Sequence, residues 1–178
     1  MVDMVVEDGT GLTNANSYVS VQEADDYLSI KSATAYALWD AELEQENYLM
    51  WATRLLDQRA NFQGRKSEST SALRWPRSGV TDRDGISLAY DEVPPAIKAA
   101  TIEIAFNLIS KGVDPSAPAA DPTGALKRVK ADVVEVEYVQ GSASPGSDYF
   151  PAGINEILSG LGSLSTGTGS RFGKILRA

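Results

Sequence analysis

Neither cysteine nor histidine occurs anywhere in the 178 residues. The first absence excludes disulfides, a thiolate nucleophile and thiolate metal sites. The second removes the imidazole base, the serine–histidine triad and the usual zinc ligand. No apolar run approaches the ~20 residues that would span a bilayer. The acidic start, Met1 to Asp8, lacks the basic flank and apolar stretch of a signal peptide. Positive charge is also scarce: 16 Lys and Arg stand against 24 Asp and Glu, a net charge of −8, which argues against broad phosphate-backbone binding. The shortfall is uneven. Asp3, Glu7, Asp8, Glu23, Asp25 and Asp26 precede the first base, whereas Arg171, Lys174 and Arg177 cluster with no acid between them. Such a chain can contact a copy of itself or a partner of opposite sign.

What is present reads as a mainly α protein: a small helical bundle of three main helices plus a short C-terminal helix, with a minor β hairpin or strand element and extended terminal arms. Residues 1–19 form an N-terminal arm, 20–140 a helical core with the small β element, and 141–178 a Gly/Ser-rich linker, short helix and tail. Ser20-Val21-Gln22-Glu23 is a capping box opening a helix at about 21–30. The run Ser32 to Ala35 reads as a connection. From Asp40 to Phe62 there is no Gly or Pro, and Leu43, Met50, Trp51, Leu55 and Phe62 recur at helical spacing, so a long second helix is expected. The turn Asp82-Arg83-Asp84-Gly85, between Val80 and Ile86, predicts a small hairpin. Val93-Pro94-Pro95 opens a third helix that runs to Lys111 and stops at Gly112; apolar nearly all round, it is buried centrally or between subunits. Val129 to Val139 alternates as a half-exposed strand, Ile154 to Leu161 reads as a last short helix, and Gly162 to Ser170 as a flexible tether.

Chemical motifs are few. Asp82-Arg83-Asp84-Gly85 lacks the first ligand and the closing Glu of a calcium loop. Gly169 to Lys174 has Thr168 and Ile175 where a phosphate loop needs Gly and Ser/Thr. No Ser-x-x-Lys pair exists. Glu135 and Glu137 would share a strand face, which reads as solvated. No catalytic residue, metal site or cofactor is expected; a carboxylate-metal hydrolase is the weakest alternative. Two features point to partners. Arg74-Trp75-Pro76-Arg77 can present a Trp that stacks unpaired bases while Arg74 and Arg77 meet phosphate; against this, Trp75 plugs the core and the arginines point outward. Trp39 and Trp51 read as core. Beyond the tether, Arg171, Phe172, Lys174, Ile175, Leu176 and Arg177 interleave apolar and basic side chains, which suits a receiving groove.

Val6 to Val21, Leu73 to Val80, Asp82 to Gly85 and Val93 to Ala100 together resemble the head–tail connector (adaptor) proteins of tailed bacteriophages, a family often labelled DnaT-like single-stranded-DNA-binding. The match runs in order over roughly residues 5–140. The resemblance implies a structural, non-enzymatic homo-oligomeric ring of about twelve copies in the virion neck. That ring would dock on the portal, meet a downstream neck or tail-completion protein, and pass genomic DNA through its lumen without sequence-specific contact or any membrane. Assembly would take place in the host cytoplasm. By resemblance of role, Arg171 to Arg177 is the portal-binding anchor. The alternative is a single-stranded-DNA-binding protein using Arg74, Trp75 and Arg77.

Overall fold

The computed structural model describes residues 3–113 and 149–164. Among them are five helices and two small antiparallel sheets. α1 (Val21–Lys31) begins at the expected capping box: the Ser20 hydroxyl accepts the Glu23 N–H at 3.2 Å, and the Glu23 carboxylate accepts the Ser20 N–H at 2.8 Å. Ser32 ends α1 and at once caps α2 (Ala33–Asp40), its hydroxyl accepting the Ala35 N–H at 3.0 Å. The Ser32–Ala35 run is therefore a helix start and not a connection.

The long helix expected over 40–62 is shorter, α3 (Gln45–Arg59). Freedom from Gly and Pro permits a helix but does not demand one. Trp39 is fully buried, with its indole N–H donating to Asp25 at 2.7 Å, and the chain turns around that anchor. The Trp39 carbonyl at the break accepts both the Glu42 N–H at 3.0 Å and the Gln45 side-chain amide at 2.9 Å, while Leu43 sits 97% exposed. At the other end Ala60–Phe62 leaves the helix as β1. Arg65–Lys66 (β2) pairs with Arg77–Ser78 (β3). The Asp82 carboxylate accepts the N–H groups of Asp84 and Ile86 at 2.9 and 2.8 Å, closing the expected hairpin as a bridge between Thr81 and Ser87.

α4 (Pro95–Lys111) starts on its prolines and ends at Gly112, which takes the left-handed conformation at φ +59°. It packs chiefly against α3 and also touches α1, α2 and a short α5 (Ile154–Ile157). Its apolar residues face several ways because it is central: Ile97, Ile102, Ile104 and Leu108 are all buried. Gly162–Leu164, expected to be flexible, is a strand, β4, antiparallel to β1 with Ala60 opposite Leu164 and Phe62 opposite Gly162. A side chain at Gly162 would put its Cβ 2.5 Å from the Asn61 carbonyl oxygen, so the pairing needs glycine there.

Residues 3–19 lie on this bundle. Val6 bridges Ser17, Tyr18 and Val19 have no exposed surface, and the buried Glu7 carboxylate gathers the N–H groups of Gly9, Gly11 and Leu12 at 2.8 to 3.0 Å. The strand expected at 129–139 and the tail beyond residue 164 fall outside the described residues. No described helix is long and apolar enough to cross a membrane.

α1 and α4 are tied by Glu23 and Lys98 at 2.6 Å. Burial opposes ionisation of Glu23, but Lys98 and the Ser20 amide and hydroxyl outweigh it and hold the carboxyl below its ordinary 4.5. A depressed acid adds stability above its unfolded pKa and loses it as pH falls through the folded one. Urea unfolding should therefore show a Glu23 contribution at pH 6 that fades below about pH 4.5. Because both side chains are a third or more exposed, the effect stays below ~1 kcal/mol. Glu23→Gln should flatten that part of the acid limb, and an unchanged limb would show the pair to be inert.

Candidate functional site

The Arg74-Trp75-Pro76-Arg77 segment is built inward. Trp75 has no exposed surface; it meets Phe62 edge-on, centroids 5.8 Å apart and planes at 78°, and is joined to Pro76 by a cis peptide bond. A ring so placed presents no face to a base while the fold is intact. The arginines do not point outward as expected. Arg77 donates to the carbonyls of Gln63 (2.6 Å), Gly64 (2.7 Å) and Arg74 (3.1 Å), while Arg74 donates to those of Asp57 (2.8 Å) and Ala60 (2.7 Å) at the end of α3. These backbone carbonyls were free to take them because α3 ends there and the loop after β1 runs irregularly. Burial first, and the neighbouring Arg74 second, pull the Arg77 guanidinium below its usual value. Both guanidinium groups also lie over Phe62, at 5.6 and 5.9 Å.

Beside this plug a groove of about 730 Å³ opens along α3. One wall is the helix itself, where Asn47, Trp51, Arg54 and Gln58 fall three or four residues apart and so form one stripe, with Met50 and Asp57 alongside. The opposite wall is Ala15 with Ala72 and Leu73. α3 can afford this second face because its core contacts run through a separate one: Leu49, Ala52, Leu55 and Leu56 are buried. Trp51 is half-buried and Arg54 exposed, and the Arg54 guanidinium stands 5.0 Å from the centre of the Trp51 ring. A cation stacked this way keeps its N–H edge available, and the half-buried Trp51 side chain lines the groove beside it.

Asp57 sits at the groove floor in a fixed network. The Tyr18 hydroxyl donates to one carboxylate oxygen, the Arg74 N–H donates to the other at 3.0 Å, and the N–H groups of Arg74 and Trp75 reach the Tyr18 oxygen at 3.1 and 3.2 Å. Burial raises the Asp57 carboxyl above its usual value despite these bonds. Burial, followed by the Asp57 charge, raises Tyr18 as well. The Arg74–Arg77 segment and the floor of the groove are thus one construction, tied through Asp57.

A second groove, of about 550 Å³, lies between the N-terminal arm and α4, where Glu7, Asp8, Glu23 and Glu92 line it with the single cation Lys98. Its charge disfavours polyanions. Among the described residues no three acidic side chains come together as a metal centre. Glu135 and Glu137, and the expected anchor Arg171, Phe172, Lys174, Ile175, Leu176 and Arg177, lie outside the described residues.

Of the tryptophans read as core, Trp39 is core but Trp51 is not. The signal for Trp51 is its spacing: a Trp with Arg one turn later and amides one turn to either side marks a polar stripe distinct from the leucine stripe.

A family model described as "Putative DnaT-like ssDNA binding protein" matches residues 2–178. No curated protein and no solved structure matches the chain. The whole-chain match overturns the head–tail connector resemblance, since nothing in the comparisons indicates a connector, a portal partner or a virion ring. The shared residues have a plainer origin. They are the N-terminal loop, a helix cap, a hairpin turn, a buried plug and a proline helix start, which report local fold and carry no information about assembly into a ring.

Proposed function

The chain belongs to the DnaT-like single-stranded-DNA-binding family, and from that premise we propose that it binds unpaired DNA, with α3 supplying the contact surface. The observation that supports this location is the Trp51–Arg54 stack in the groove along α3. Unpaired strands are held by aromatic rings that take bases and by cations that take phosphate, and this pair offers both within one helical turn. The role is one of binding, without bond-making chemistry. Arg74, Trp75 and Arg77 serve it indirectly, by holding Asp57 and the Leu73 wall in place.

Fluorescence anisotropy of a labelled oligothymidine at low salt tests the reading. Binding is expected, and Trp51→Ala should weaken it by roughly five- to a hundredfold, since each base–aromatic stack is worth about 1–3 kcal/mol. The side chain is only half-buried, so circular dichroism should report an intact fold. A flat titration of the unaltered protein would remove the proposal.

A further inference from the structure

We infer, building on that reading, that the groove recognises the unpaired nucleobase itself and draws little of its hold from the phosphate backbone. Charge supports this first. Arg54 and Asp57 are the only ionisable side chains among the residues lining the groove, so their formal charges cancel, and the chain as a whole carries −8. Tracking a backbone takes rows of cations. The described surface supplies no such row here.

The chemistry of the lining points the same way. Trp51 offers a ring, and Asn47 and Gln58 stand at either end of the same stripe with amides that both donate and accept. The Asp57 carboxylate, held in place by Tyr18 and Arg74, adds an acceptor suited to ring N–H or exocyclic amino groups. A volume of about 730 Å³ is that of a site for a discrete small group. Sites of that kind typically measure about 300–1,000 Å³. Arg54 is then left to meet one phosphate beside the bound base.

The tryptophans make the test direct. Trp39 and Trp75 have no exposed surface, so an added base can quench only Trp51 by contact. The full-length protein is titrated with a twelve-residue oligothymidine, an abasic strand of equal length, inorganic polyphosphate and adenosine, following tryptophan fluorescence and the anisotropy of a labelled strand. The oligothymidine and adenosine should quench, and adenosine should displace the labelled strand. The abasic strand should bind at least about fivefold more weakly, and polyphosphate should not compete. The salt slope should be near −0.7, the value for about one phosphate on a single strand, and should flatten in Arg54→Gln. Trp51→Phe should keep binding within about threefold, because a ring remains, while losing the quench.

Equal binding of abasic and thymidine strands, or competition by polyphosphate, would overturn base recognition while leaving single-stranded-DNA binding in place. Quenching by adenosine without binding of any strand would do the reverse. Silence from every ligand would remove both.

Discussion

Replacing Trp75 by alanine should cost about 3–5 kcal/mol of folding stability, the usual range for emptying an aromatic site in a core. For a chain of this size that is a fall in Tm of roughly 6–20 °C. The indole is completely enclosed, braces Phe62 edge-on, and lies under the loop that Arg74 and Arg77 sew to the end of α3. Removing it leaves a void that the surrounding structure relaxes into only partially. Trp75→Phe should be far milder. It keeps a ring against Phe62, and it deletes an indole N–H that has no hydrogen-bond partner among the described residues, so part of the lost packing is offset by a relieved desolvation cost. Thermal melts of both variants give the comparison, with DNA anisotropy alongside. If Trp75→Phe folds normally yet loses DNA as completely as Trp75→Ala, the ring touches DNA and its burial is not its role. If Trp75→Ala melts with the unaltered protein, the plug is not structural.

Glu7→Ala should be the other severe change, about 3 kcal/mol or more. One carboxylate oxygen accepts the N–H groups of Gly9 and Gly11 and the other that of Leu12, in a loop almost closed to solvent. Each orphaned buried donor costs about 1–3 kcal/mol, and a short alanine lets no side-chain atom replace the lost acceptor. The loop cannot relax outward easily: Gly9, at φ +102°, lies so close to Asp91 that a Cβ would fall 2.1 Å from its carbonyl oxygen. Glu7→Gln keeps one oxygen and should cost about half as much. Because the Leu12 carbonyl accepts the Ala72 N–H at 2.9 Å, the loop also steadies the wall of the α3 groove, and DNA affinity should fall with stability. Urea midpoints for the three proteins decide it; a midpoint for Glu7→Ala equal to that of the unaltered protein would show the loop to be held by other means.

Local signals were the legible part of this fold. The capping box at Ser20–Glu23, the proline start and glycine stop of α4, and the Asp82–Gly85 turn each involve residues within a few positions of one another, and each stands where the chain pattern puts it. The mainly helical class with a small β element follows from the same periodicities. What escaped depends on distant partners. The break between α2 and α3 is set by where Trp39 must be buried, and the strand at Gly162–Leu164 exists only because Ala60–Phe62 is there to pair with it. The site was hidden for a related reason. Trp51 and Trp75 are the same residue type with arginine nearby, yet one is enclosed by Phe62 and Tyr18 from elsewhere in the chain and the other is left at the surface of its helix. Local sequence cannot say which tryptophan a distant segment will cover.

The β1–β4 pairing joins Ala60 to Leu164, residues more than a hundred positions apart. While the chain is being made, α1 to α4 can assemble from neighbouring pieces as each emerges. The edge of β1 has to wait for the last described strand to leave the ribosome, and until then Ala60 and Phe62 lack the partner that closes the bundle at that end. Among the described elements, birth order therefore places this seam after the four-helix assembly.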